Sequence, residues 1–440
     1  MKTPISDFIR EYADSDKIRL HMPGHKGKGD IEKYDITEIA GADSLYSADG
    51  IIRDSERIAS EIFGADTFYS TEGSSLAIRA MLYLAITSRP SDGEPCVLAA
   101  RNAHKVFVSA AALLGFNIEW ICGTDNYLSV NLTASELDRK LTEMKKLPIA
   151  VYITTPDYLG CMLDVFSLAE VCHKWGVLLL VDNAHGAYLK LLSPSRHPID
   201  LGADMCADSA HKTLPVLTGG AYLHVRRGAC QDFAARAKDA LALFGSTSPS
   251  YLILESLDRA NPYLAGNFAA EMSSFIDKIA ELKRELADYG YELVGDEPMK
   301  ITVAPSPVGY TGTDIAALLS EGGIEVEFSD PDHVVLMPTP RGGDESLEAA
   351  RRILLSVAHR APRTVRAPVL SLPERVMSPR VAMLSQTEII PVSQSSGRVL
   401  GAVTVGCPPA VPILISGERI SEKSISAFNY YGIDTVSVIK

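Results

Sequence analysis

Two stretches decide how this chain folds: VLLLVDNAHGAYL (177–189) and ADSAHKTLPVLTGGAYLHV (207–225). Each holds a mainly apolar run too short for a helix, the pattern of a strand buried on both faces. The run 177–181 stops at a carboxylate, Asp182, and Lys212 stands before the run 221–225. Similar runs lie at 96–99, 118–122 and 150–154, and helical patterns at 74–87, 104–114, 134–145 and 167–175 separate them. Strands alternating with helices of this length build β-α-β units. The expected class is α/β, with a mainly parallel sheet covered on both faces.

The flanking segments differ in pattern. Residues 1–46 read as an N-terminal arm, with a short helix at 5–12 and a Gly- and Lys-rich loop, HMPGHKGKGD (21–30). A large domain is expected over 47–263. A long helical pattern at 265–289 ends in Gly290, a C-cap that opens a smaller α+β domain over 264–366. Its strands are expected at 300–303, 324–328 and 334–337, its helices at 313–319 and 345–359. Residues 367–440, rich in Pro, Val and Ile, read as a separate lobe.

Composition excludes several classes. The chain has 440 residues, 46% hydrophobic and 22% charged, so disorder is not its dominant state. Forty-two Lys and Arg against 55 Asp and Glu give a net charge of −13, which argues against nucleic acid as a partner. The seven cysteines are scattered and never spaced C-x-x-C, as in a reduced intracellular protein. The start MKTPISDFIREYADSDK lacks the features of a signal peptide, and no apolar run approaches the roughly 20 residues that span a bilayer. A soluble cytoplasmic protein without membrane or nucleic-acid partners is the expectation.

Open α/β sheets bind ligands at the C-terminal ends of their strands. Asp182 there reads equally as a cap for the next segment or as a functional acid. Lys212, thirty residues on (212 − 182), reads as a surface lysine or as a desolvated amine nucleophilic toward carbonyls. Together, an Asp after one strand and a Lys after the next are the layout of a pyridoxal phosphate site. The acid keeps the pyridine nitrogen protonated and the amine holds the cofactor as a Schiff base. Gly73, Ser74 and Ser75 open a helix whose free N–H groups suit a phosphate. His104, just past a strand, can stack on the ring. Ala184 leaves room on the other face, Ser209 and His211 flank the lysine within reach of the phosphate, and His185 lies near the ring. Metal sites score badly: in HMPGH, Pro23 and Gly24 break the helix that would align His21 with His25, and H-E-x-x-H is absent. G-x-G-x-x-G after a strand and G-x-x-x-x-G-K-[ST] are absent too, so nicotinamide and nucleotide P-loop sites are unsupported.

The set HMPGHKGK, DITEIAGADSLYSADGIIRDSERIASEIFGAD, STEGSSLAIRAM, ARNAHK, TTPDYLGCMLD, VDNAHGAYL and DSAHKTLPVLTGGAYLHV, with GCPPAVPILISGERIS near the end, resembles the Orn/Lys/Arg decarboxylase family. The resemblance implies the aspartate-aminotransferase (fold type I) architecture and pyridoxal-phosphate-dependent decarboxylation of arginine, lysine or ornithine, in polyamine metabolism. It casts Lys212 as the Schiff-base lysine, Asp182 as the partner of the ring nitrogen and His104 as the stacking residue. Lys212 or His211 would return a proton to Cα, and Ser74, Ser75, Ser209 and His211 would contact phosphate. It implies a homodimer with sites between subunits, where Ser246, Thr247 and Ser248 would reach the partner's phosphate. The chain departs from the family's usual residues at Glu72, Tyr46, Cys407 and Ala410, and the large N-terminal wing domain of long members is not expected. The rivals are transamination, for which Arg341 is a candidate carboxylate-binding residue, β-elimination, and a catalytically silent cofactor-binding protein.

Overall fold

The computed structural model describes all residues except 91–92, 122–126, 229–231, 370–371, 403 and 408–410, with backbone alone at 404–407. Cys122, Cys230, Ala410 and the Cys407 side chain therefore lie outside the described residues. The chain forms two compact units. One comprises Met1–Asp92, Lys145–Ile153 and Val165–Ala270, the other Gly93–Met144, Thr154–Asp164 and Glu271–Lys440. The first seven strands are β1 (Asp66–Ser70), β2 (Cys96–Ala100), β3 (Asn117–Ile121), β4 (Ala150–Thr154), β5 (Leu178–Asp182), β6 (Met205–Asp208) and β7 (Ala221–Val225).

In the first unit the strands follow the order β1-β7-β6-β5-β4. β5 and β6 are parallel, with Asp182 opposite Ala207. β7 is antiparallel to both β6 and β1, so β1, β5 and β6 run one way and β7 runs against them. The reversal has a physical cause. Only 12 residues (209–220) join β6 to β7, enough for a tight return but short for a crossover. The return holds the short helix Ala210–Thr213, so Lys212 sits at the edge where β5 and β6 end. β1 ends at that edge too and delivers the start of helix Gly73–Ile86. Sequence periodicity misses β1 and β6. Thr67, Ser70 and Asp208 are polar yet buried, and their hydrogen bonds replace the apolar pattern a strand normally shows.

The helix expected at 265–289 is present as Phe268–Tyr289, and a further helix, Tyr251–Ala265, which the sequence pattern did not single out, precedes it. Gly290 follows with φ +112, as a C-cap glycine should.

In the second unit β2 and β3 pair in parallel. Strands β8 (Glu292–Val294), β9 (Ile301–Ala304), β10 (Phe328–Ser329) and β11 (Val334–Leu336) form an antiparallel sheet in the order β10-β11-β9-β8. The strand expected at 324–328 shrinks to two residues beside the turn Asp330–His333, whose Asp330 carboxylate accepts the N–H groups of Asp332 and His333. Helices Ala134–Glu143 and Gly312–Glu321 begin at capping boxes, Thr133 with Glu136 and Thr311 with Asp314. The C-terminal lobe pairs β12 (Thr387–Pro391) with β15 (Thr435–Ile439) and β13 (Thr404–Cys407) with β14 (Val411–Ile415). Leu400, Ile413, Leu414, Phe428 and Val438 pack with Phe328 and Val335 in one apolar cluster.

Candidate active site

Asp182 ends β5 and is 2% exposed. Its Oδ2 accepts a hydrogen bond from the Tyr152 hydroxyl at 3.1 Å, and Oδ1 accepts the Ala184 N–H at 3.2 Å. Burial pushes its carboxyl above the usual range, opposed by the nearby Lys212 charge and the Tyr152 hydroxyl. Asp182 and Lys212, read from two separate strands, are thus electrostatic neighbours. Lys212 Nζ lies 2.9 Å from His185 Nε2, and His185 is 4% exposed.

A second cluster flanks this pair in the chain. The Ser209 hydroxyl donates to Ser74 Oγ at 2.8 Å, joining the segment before Lys212 to the first turn of helix Gly73–Ile86. Gly73 has φ +70 and its N–H donates to the Gly219 carbonyl at 2.7 Å. A Cβ added at Gly73 would meet nothing within 4 Å, and the capping position Glu72 makes no side-chain cap bond. The helix start therefore faces open space with its N–H groups uncapped by side chains, as an anion seat requires. Ser75 is half-buried in the same turn. His211 turns Nδ1 to the Gly220 carbonyl at 3.0 Å, which anchors it to the β6–β7 return. Ala184 is 9% exposed.

Glu72 finds its partner in the Ser246 N–H, which donates to Oε1 at 2.6 Å. Ser246, Thr247 and Ser248 are exposed. The Tyr46 hydroxyl is buried without a hydrogen-bond partner among the described residues, and burial, helped by the Glu72 charge, pushes it up to about 12. His104 belongs to the second unit, where it N-caps helix Lys105–Leu114 and its Nδ1 accepts the Val106 N–H at 3.2 Å. His21 and His25 turn to separate partners, the Tyr12 hydroxyl and the Asp35 carboxylate. Arg341 is exposed just before helix Gly343–Leu354. Tyr152 escaped sequence reasoning because nothing in VYITT (151–155) distinguishes a site tyrosine from a core one. Only the pairing of strands aims its hydroxyl at Asp182.

Comparison with known proteins places this geometry. The family model described as Orn/Lys/Arg decarboxylase, major domain, matches residues 3–296, and its C-terminal domain matches residues 362–434. The chain belongs to the Orn/Lys/Arg decarboxylase family. Within it, the chain is 30% identical to the arginine decarboxylase of Bacillus subtilis, over 97% of this chain and 92% of that protein. It is 29% identical to the arginine decarboxylase of Halalkalibacterium halodurans, with the same coverage of 97% and 92%. Among solved structures, the constitutive lysine decarboxylase of E. coli superposes with a TM-score of 0.79 at 18% identity, covering 100% of this chain and 82% of that one. The L-threonine transaldolase of Pseudomonas fluorescens in its internal aldimine state gives 0.56 at 18% identity, covering 69% of this chain and 71% of that one. These likenesses bear out the fold type I architecture.

Proposed function

We propose that this decarboxylase removes CO2 from a basic amino acid, arginine, lysine or ornithine, with pyridoxal 5'-phosphate held at the edge where β1, β5 and β6 end. The observation that carries the reading is the pairing of a buried Asp182 with the Lys212 amine, alongside the open N-terminus of helix Gly73–Ile86. The donor set fits the group: a buried acid for a ring nitrogen, an amine for an aldehyde, and hydroxyls and N–H groups for a phosphate.

Bound pyridoxal phosphate supplies the electron sink for the breaking Cα–carboxylate bond. The protein does the rest. Ser74, Ser75, Ser209 and the helix N–H groups bind the phosphate, with His211 beside them. Asp182, kept ionisable by Tyr152 and Lys212 despite its burial, holds a proton at the ring nitrogen. Ala184, being small, would leave one ring face free, and the stacking role of His104 is the one that the family resemblance implies. Lys212 would tether the cofactor through its amine and could hold the proton that Cα receives, with His211 as the other candidate acid. His185, hydrogen-bonded to Nζ, orients the amine. A cationic side chain needs an acidic partner, and a homodimer with sites between subunits can supply one. Ser246 and Thr247 then face the neighbouring site. The proposal includes a cytoplasmic role in polyamine synthesis; among the described residues no helix is long and apolar enough to cross a membrane.

The test is incubation of the cofactor-loaded protein with each of the three amino acids. Release of CO2 with agmatine, cadaverine or putrescine supports the reading. Formation of a keto acid, or a bound cofactor with no turnover, refutes it.

A further inference from the structure

Asp208, four residues before Lys212, has no part in the chemistry above, yet it is fully buried and accepts four hydrogen bonds. Oδ1 takes the Asn183 amide at 2.8 Å and the Cys206 thiol at 3.2 Å. Oδ2 takes His197 Nε2 at 3.0 Å and His224 Nε2 at 3.2 Å. His197, Asp208 and His224 also lie close enough together to ligate a metal. The hydrogen bonds argue otherwise. The Ile199 N–H points at His197 Nδ1 at 3.4 Å, so Nδ1 is the lone-pair nitrogen and the proton sits on Nε2, facing Asp208. His224 Nδ1 has the Thr67 hydroxyl at 2.9 Å, and burial holds this imidazole below its usual range, against the Asp208 charge. Both rings turn Nε2 to the one carboxylate, and their electrostatic attraction and hydrogen bonds hold the carboxyl well below its usual range despite burial.

We infer that Asp208 is a positioning residue for the reaction: a buried carboxylate that fixes Asn183, the neighbour of Asp182, and sets a second negative charge behind the acid that serves the ring nitrogen. The inference rests on the cofactor reading above and deepens it. Asn183 N–H already bonds the Ala207 carbonyl at 3.0 Å, tying the end of β5 to β6. The Asn183–Asp208 bond adds a side-chain tie at the same place, between the residue after Asp182 and the strand that leads to Lys212. The Asp208 charge also raises the proton affinity of Asp182. A shared proton between Asp182 and the ring nitrogen is therefore retained to higher pH. The charged or titratable groups facing Asp208 are His197, His224, Cys206, Tyr222 and Asp182, with Asp200 and Lys190 coupled to the same cluster.

The experiment loads wild-type, Asp208→Asn and Asn183→Ala proteins with pyridoxal phosphate labelled with 15N in the ring. It follows the ring-nitrogen resonance against pH, together with kcat, KM and thermal unfolding. In Asp208→Asn the ring proton should be lost about one pH unit lower, and kcat should fall about tenfold with KM little changed, the scale of one hydrogen bond to a charged group. Asn183→Ala keeps the charge and removes the tie, so kcat should fall while the ring titration stays. An Asp208→Asn protein with wild-type ring titration and kcat within twofold overturns the assignment, as does an unimpaired Asn183→Ala if Asp208→Asn does not fold. Wild-type protein that takes up no labelled cofactor overturns the site reading itself, and this one with it.

Discussion

Replacing Tyr152 by Phe removes one hydroxyl and almost no volume from the interior, so its effect isolates a single hydrogen bond. Tyr152 is fully buried and Asp182 nearly so, which leaves water unable to substitute for the lost donor. Among the described residues, the hydrogen bond Asp182 would keep is that from the Ala184 N–H, on its other oxygen. A hydrogen bond to a charged group contributes about 1.5–3 kcal/mol, equivalent to roughly 10- to 150-fold in a rate that needs that charge. The sign follows from the balance at Asp182. Burial already pushes its proton affinity up, and Lys212 and Tyr152 pull it down. Losing Tyr152 raises it further, so the ionised acid disappears at a higher pH as the solution is acidified. The variant should bind cofactor and fold normally, lose at least tenfold in kcat, and show the acid limb of its kcat–pH profile displaced upward. Amine product measured by chromatography between pH 5 and 9 reads both quantities. A kcat within twofold of wild type, with an unmoved acid limb, would refute the claim that Tyr152 sustains Asp182.

Four further outcomes follow from the same structure. Lys212→Ala should abolish turnover and the visible absorbance of lysine-bound cofactor; borohydride trapping on another lysine would reassign the tether. Ser74→Ala and Ser209→Ala should each weaken cofactor binding about tenfold, read by titration of the apoprotein, because each removes a hydroxyl from the anion seat. Asp258, pushed up to about 6 by burial against the Ser55 and Ser6 donors, favours its protonated form in the folded state. Its contribution is fully present below pH 3.8 and is lost as pH rises through about 6. The melting temperature of wild type relative to Asp258→Asn should therefore fall between pH 4 and pH 7, and a flat difference would contradict this. In the second unit, Arg101 pairs with the buried Glu418 at 3.0 Å, so Arg101→Met strands a carboxylate and should lower stability by about 3–5 kcal/mol in urea titrations. A loss below about 1 kcal/mol would show that Glu418 is not held by this pair.

Much of the α/β pattern was legible because β4, β5 and β7 are mainly apolar runs, the trace that burial on both faces leaves in a sequence. Asp182 and Lys212 were legible for the opposite reason, as polar residues placed where apolar runs stop. β1 and β6 left no such trace, since Thr67, Ser70 and Asp208 are buried through hydrogen bonds to partners far away in the chain or around a turn. The helix Tyr251–Ala265 was not singled out either; it carries Pro262 inside it, a residue that ordinarily marks a helix boundary.

The sequence by itself determined that an acid ends one apolar run, that an amine stands before the next, and that a glycine-opened helix precedes both. Those are local facts of composition and order. Tertiary structure decided that Tyr152 serves Asp182, that Ser209 reaches Ser74, and that Asp208 gathers Asn183, Cys206, His197 and His224 around one charge. Hydrogen bonds between side chains depend on strand order and register, which no local periodicity encodes.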